Sequence, residues 1–75
     1  MEEVKQGTYE HFKGKKYFVL GTATHSETLE QFVVYKQLYG NKSVWIRPIK
    51  LFIETVTRDG KTMPRFRFVS EMEEP

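Results

Sequence analysis

Lys16-Tyr17-Phe18-Val19-Leu20-Gly21-Thr22-Ala23-Thr24-His25, a link of Ser26-Glu27-Thr28-Leu29-Glu30, then Gln31-Phe32-Val33-Val34-Tyr35-Lys36-Gln37-Leu38-Tyr39 is the stretch whose reading decides the fold. β-Branched and aromatic residues dominate both arms, which predicts two antiparallel strands joined by a turn rather than a helix. If the turn sets His25 opposite Gln31, unbroken register places Gly21 opposite Tyr35, Thr24 opposite Phe32 and Phe18 opposite Leu38. An aromatic ring then covers a strand glycine. Side chains alternate between faces. One face carries Phe18, Leu20, Phe32, Val34 and Leu38 and reads as core. The other carries Tyr17, Val19, Ala23, His25, Val33, Tyr35 and Tyr39, apolar at its base and polar at its tips.

Upstream, Gly7-Thr8-Tyr9-Glu10-His11-Phe12-Lys13-Gly14 reads as a short extended arm. Tyr9, His11 and Lys13 share one face, with Phe12 turned the other way as an anchor. Lys13-Gly14-Lys15-Lys16 is the turn into the next strand. Downstream, Gly40-Asn41-Lys42-Ser43 is a turn and Val44-Trp45-Ile46-Arg47 a short strand. Pro48 suits the start of a helix, and Ile49, Phe52, Ile53 and Val56 follow at helical spacing, so one or two turns are expected there. Thr55, Val56 and Thr57 are β-branched and leave its end open, and Asp59-Gly60 can close a hairpin. Arg65-Phe66-Arg67-Phe68-Val69 alternates arginine out and phenylalanine in, as a final strand does. The expected class is mainly β. Its form is a small, strongly bent antiparallel sheet or a partly open SH3-like barrel of about five strands, with one short helix before the last strand. An open sheet packed on one helix is the alternative.

The chain's 75 residues stand at the lower edge of the size at which a hydrophobic core suffices, roughly 70–80 residues. One β-rich domain is expected over residues 4–69, between acidic tails at 1–3 and 70–75 that read as flexible. Without cysteine, neither a disulfide framework nor a thiolate metal site is available. No apolar run reaches transmembrane length and no signal-peptide pattern opens the chain, so no membrane partner and a cytoplasmic location are expected. The net charge of +2 is uneven: without the five tail glutamates, twelve basic side chains face five acidic ones. Such a body attracts anions, although lysines at strand edges also discourage aggregation.

His11, Lys13, His25, Tyr35, Trp45 and Arg47 form the candidate ligand-binding set. Imidazole, ammonium and guanidinium supply donors for an anion, and Tyr35 and Trp45 offer flat surfaces for a base. Arg47 is the strongest candidate for an anion contact, because its fork can grip phosphate or carboxylate with two hydrogen bonds. Alternatively, Tyr35 and Trp45 fill a second small core and the histidines tie down turns. A metal would need more ligands than His11 and His25 with Glu10 or Glu27, and none of the spacings is that of a zinc or iron motif. No cofactor, catalytic residue or metal site is expected from motifs.

Gly7-Thr8-Tyr9-Glu10-His11-Phe12-Lys13-Gly14, His25 to Glu30, Val33-Val34-Tyr35, Trp45-Ile46-Arg47-Pro48, Phe52 and Pro64-Arg65-Phe66 together resemble a small bacterial family. It is known as the domain-of-unknown-function family number sixteen fifty-three. The resemblance spans nearly all of the chain from Gly7 to Phe68 and implies a bacterial, cytoplasmic protein, with no activity attached. The residues themselves favour a non-catalytic binding module for an anionic ligand, nucleic acid or nucleotide, with nucleic acid ahead of a small phosphorylated molecule. One alternative is a protein-interaction module using Tyr35, Tyr39 and Trp45 as a groove for a peptide or a second copy. The other is a small enzyme using a histidine pair for proton transfer.

Overall fold

His25 and Glu30 close the turn between the two central strands: the His25 amide donates to the Glu30 carbonyl at 2.8 Å, and Leu29 takes a left-handed φ of +63°. The computed structural model describes residues 4–74. In chain order it has β1 (Gly7–His11), β2 (Lys16–Thr24), β3 (Gln31–Gln37), β4 (Val44–Pro48), the helical turn α1 (Ile49–Phe52), β5 (Thr55–Arg58), β6 (Lys61–Pro64) and β7 (Phe66–Ser70). Five strands form one antiparallel sheet in the order β4-β3-β2-β1-β7, and β5 and β6 form a separate hairpin. The protein is therefore mainly β with one short helix before the last strand of the sheet. The sheet is open, since β4 and β7 end it without pairing with each other.

The register differs from the expectation in two places. The turn sets Thr24, not His25, opposite Gln31, and Leu20 is an extra residue between the pairs Val19 with Tyr35 and Gly21 with Val34. Gly21 thus faces Val34, and the expected cover of Gly21 by Tyr35 is not formed. A bulge of this kind bends the strand, and Gly21 takes a φ of +154° that a side chain rarely adopts. Two one-residue shifts cancel in parity. Tyr17 and Val19 therefore share a face with Val33 and Tyr35 as alternation predicts, while Ala23 moves to the other face opposite Phe32.

The core lies on the face opposite to the one expected. Tyr9, Val19, Val33, Tyr35, Ile49, Phe52 and Phe66 form the buried cluster, with Val19 and Val33 fully enclosed. Leu20 is 42 % exposed, and Phe32, Val34 and Leu38 are only half-buried. The physical reason is the connection after β4. It carries α1 under the Val33 and Tyr35 side, hereafter the inner face, so that Phe52 stacks on Phe66 at 4.2 Å with parallel planes. The rings of Tyr9 and Tyr35 flank Phe52 at 5.5 and 5.6 Å. Burying each such side chain contributes roughly 1.5–3 kcal/mol.

Pro48 precedes the helical turn with φ −52° and ψ 138°, a geometry its ring favours. The turn ends at Ile53, whose amide still donates to the Ile49 carbonyl. Val56 belongs to β5, so its helical spacing from Ile49 is not used. Asp59 and Gly60, both at positive φ, make the two-residue turn of the β5–β6 hairpin between Arg58 and Lys61. At the β1–β7 seam, Gly7 admits no side chain: a Cβ there would lie 2.6 Å from the Ser70 carbonyl and 2.8 Å from the Phe68 ring.

Residues 71–74 continue past β7 and fold back over the outer face. Thr8 is fully buried beneath them. Its hydroxyl donates to the Met72 carbonyl and accepts from the Glu74 amide. Glu74 pairs with Lys16 at 2.8 Å and Glu73 with Lys36 at 2.9 Å. The acidic residues at 1–3 and Pro75, read as parts of flexible tails, lie outside the described residues. Among the described residues, no helix is long and apolar enough to cross a membrane.

Candidate functional site

Alternation places four of the candidate side chains on the inner face. His11 ends β1, two residues after buried Tyr9, and pairs with Phe66. Arg47 and Trp45 on β4 stand opposite Val33 and Tyr35 on β3. Tyr35 is itself a core residue, 5 % exposed, whereas Trp45 is 52 % exposed at the sheet edge. Tyr35 thus presents its hydroxyl rather than its ring, and Trp45 presents its ring. The flat surface expected from the pair comes from Trp45 alone.

Arg47 bridges these groups. Its Nε donates to the Tyr35 hydroxyl at 3.3 Å, and the guanidinium carbon sits 5.6 Å from the centre of the Phe66 ring. Arg65 binds Glu54 through two donors, Arg67 binds Glu10, and Lys16 and Lys36 hold Glu74 and Glu73. Among the described residues, Arg47 makes no ion pair. Its remaining donors are free for an anion.

His11 accepts the Lys13 amide at Nδ1, 3.1 Å away. A neutral ring therefore carries its proton on Nε2. Burial comes first in holding its pKa below the ordinary 6.5, and the positive charges of Arg65, Arg47 and Lys13 add to it. The neutral ring is the favoured form at pH 7, a hydrogen-bond donor in a positive field. A pocket of about 210 Å³ opens beside it, lined by His11, Phe12 and Gly14 and also by the Glu10–Arg67 ion pair.

Sequence reasoning missed a polar chain that completes this face. The Trp45 indole donates to Ser43 Oγ at 2.8 Å, and Ser43 Oγ donates to Gln37 Oε1 at 3.1 Å. Gln37 Nε2 then donates to the Tyr39 hydroxyl at 3.2 Å, which meets the Tyr17 hydroxyl at 2.7 Å. Burial, then the bond to Tyr39, push the Tyr17 hydroxyl well above its usual range, so it stays protonated. Lys15 adds a cation 4.8 Å from the centre of the Tyr39 ring. Gln37 could have been found by extending the alternation of Tyr35 by two residues. Ser43 could not, because it lies in the turn.

Two candidates do not join the face as expected. Lys13 contributes its backbone to His11, and its ammonium lies 5.8 Å from the centre of the Phe12 ring. His25 caps its own turn: Nδ1 accepts the amides of Glu27 and Thr28 at 3.2 and 3.3 Å. His11, at the end of β1, lies beside the start of β2, where its amide donates to the Lys15 carbonyl, and His25 follows the other end. Roughly 25–30 Å of strand separates them, so the histidine pair required by the catalytic reading is not assembled. Among the described residues, His, Asp and Glu form no group of three able to hold a metal ion.

Fold and face together define a small antiparallel-sheet domain with a basic and aromatic surface at one edge. The chain matches the family described as Protein of unknown function (DUF1653) over residues 7–68 and belongs to that family. Its structure is similar to the crystal structure of a DUF1653 protein from Bordetella bronchiseptica, with 34 % identity, 96 % of this chain and 95 % of that chain covered, and a TM-score of 0.84. No curated protein matches the chain.

Proposed function

We propose that the inner face at the β4 edge is a non-catalytic binding site for an anionic ligand, with nucleic acid ahead of a small phosphorylated molecule. One observation carries this reading. Arg47 is without a carboxylate partner among the described residues and lies two positions along the same strand face from half-exposed Trp45. A guanidinium can grip a phosphate while an indole stacks a base, and a single strand offers both at neighbouring positions. Neutral His11 adds a donor that does not compete for the anion's charge.

Trp45 is the single tryptophan, so its fluorescence reports directly on the face. Titration with short single-stranded oligonucleotides and with nucleoside phosphates should quench or shift it at low ionic strength. Affinity for oligonucleotides should fall steeply with added salt. A fluorescence spectrum unmoved by any of these ligands at low salt overturns the proposal for those ligands.

A second reading rests on the edge itself. Val44, Trp45 and Ile46 are 58 %, 52 % and 59 % exposed on an edge strand, and unguarded apolar edges accept another strand. Binding by strand addition should be nearly insensitive to salt, which separates it from the anion reading.

A further inference from the structure

The outer face holds a second set of groups that the anion reading does not use. Thr8 stands opposite Phe18 on β2, and Phe18 stands opposite Lys36 on β3. Lys16 lies two residues along β2 on the same side, a diagonal neighbour of Lys36 at roughly 7–8 Å. Phe18 is 8 % exposed and Thr8 fully buried. Every polar group of this patch is taken up by one tripeptide, Met72 to Glu74. The Met72 carbonyl accepts from the Thr8 hydroxyl, and the Glu74 amide donates to it. The Glu73 carboxylate meets Lys36 and the Glu74 carboxylate meets Lys16.

We infer that the outer face of Thr8, Lys16, Phe18 and Lys36 is an acceptor site for an acidic peptide, which Met72, Glu73 and Glu74 fill in cis. The hydroxyl of Thr8 selects the chemistry. It gives one hydrogen bond to a carbonyl and takes one from an amide two residues later, a pairing that a peptide backbone supplies. A phosphodiester offers only acceptors, so a phosphate backbone could satisfy the lysines and the Thr8 donor but could not supply the donor that the Thr8 oxygen accepts from. The two lysines then specify consecutive carboxylates after that carbonyl. The acceptor residues thus lie in the part matched by the family, residues 7–68, and the occupant in a segment outside that match. A covalently attached occupant competes at a high effective concentration, on the order of millimolar, so an external peptide gains access once the internal one is weakened.

The test uses the full chain carrying Glu73→Gln and Glu74→Gln, isotope-labelled for amide NMR, and a capped synthetic peptide repeating residues 70–74. The peptide should shift the Thr8, Lys16, Phe18 and Lys36 amides of the variant and bind it at least tenfold more tightly than it binds the wild type. The same peptide with both glutamates of positions 73 and 74 replaced by glutamine should not bind. Lys16→Glu with Lys36→Glu, added to that variant, should abolish binding of the acidic peptide and admit one with lysines at those two positions. Unmoved amides at millimolar peptide overturn the inference. So does a double-glutamine variant that fails to fold, because the segment is then a fixed part of the domain. An oligothymidylate that shifts these amides where the peptide does not would replace the peptide with a polyanion and likewise overturn it.

Discussion

The two faces of the sheet solve the same electrostatic problem differently. On the outer face, Lys16 and Lys36 are neutralised by glutamates of the same chain. On the inner face, Arg47 meets a tyrosine hydroxyl and the Phe66 ring and makes no ion pair among the described residues. The difference teaches that net charge says little about which basic side chains lack an internal partner. Of the twelve basic side chains, four are taken up by ion pairs among the described residues; what sets Arg47 apart from the other unpaired ones is that its guanidinium is held beside the Tyr35 hydroxyl and the Phe66 ring.

The faces also differ in what holds them, and the sharpest way to break the comparison is to remove a ring. Phe52→Ala and Phe66→Ala on the inner side should each cost about 3–5 kcal/mol, enough to unfold so small a domain in urea or thermal melts. Phe32→Ala, at a half-buried outer position, should cost clearly less. Equal losses on both sides would show that the sheet has two cores rather than one. Next in size is Gly7→Ala at the β1–β7 seam. The collision with the Ser70 carbonyl and the Phe68 ring, added to a φ of +151°, should cost about 1–3 kcal/mol, read as a lower denaturant midpoint.

Acid should act through the inner face. His11 is held below its ordinary pKa in the folded chain, so the unfolded chain takes up the proton more readily. The stability that this contributes is fully present above the unfolded value of about 6.5 and is lost as pH falls through the folded value. Melting temperature should drop on acidification from neutrality, and His11→Gln should flatten that part of the profile. The smallest effect belongs to the outer ion pairs. Lys36→Gln should change stability by no more than about 1 kcal/mol; a larger loss would make the segment at 71–74 part of what holds the fold.

Much of the architecture was legible because its signals are local. The strand arms on either side of the Ser26–Glu30 link, the helical turn after Pro48 and the Asp59-Gly60 turn each follow from short-range chemistry. Sorting Tyr17 and Val19 with Val33 and Tyr35 also survived, since the turn offset and the Leu20 bulge cancel. Choosing which sorted face is the core did not. Both faces of the hairpin are apolar, and the choice is made by the path of the chain after β4, which brings Phe52 and Phe66 to one side only. Of the candidate set, Arg47, Trp45 and His11, picked out by residue type, share the inner face. The burial of Tyr35 and the diversion of His25 into its own turn depend on register, which a single bulge rewrites. The outer contacts of Glu73 and Glu74 were invisible for a different reason: ion pairs between residues more than thirty positions apart leave no pattern in sequence.

The claim that the inner face at Arg47 is the anion site is tested most directly by Arg47→Lys, with Trp45 fluorescence titrations and thermal melts run in parallel. The substitution keeps the charge and removes the fork. The account predicts an affinity for single-stranded oligonucleotide lower by roughly tenfold or more, the worth of a charged hydrogen bond, with a melting temperature nearly unchanged. Unchanged affinity together with a clear fall in melting temperature would contradict it, and would assign Arg47 to holding Tyr35 and Phe66 in place.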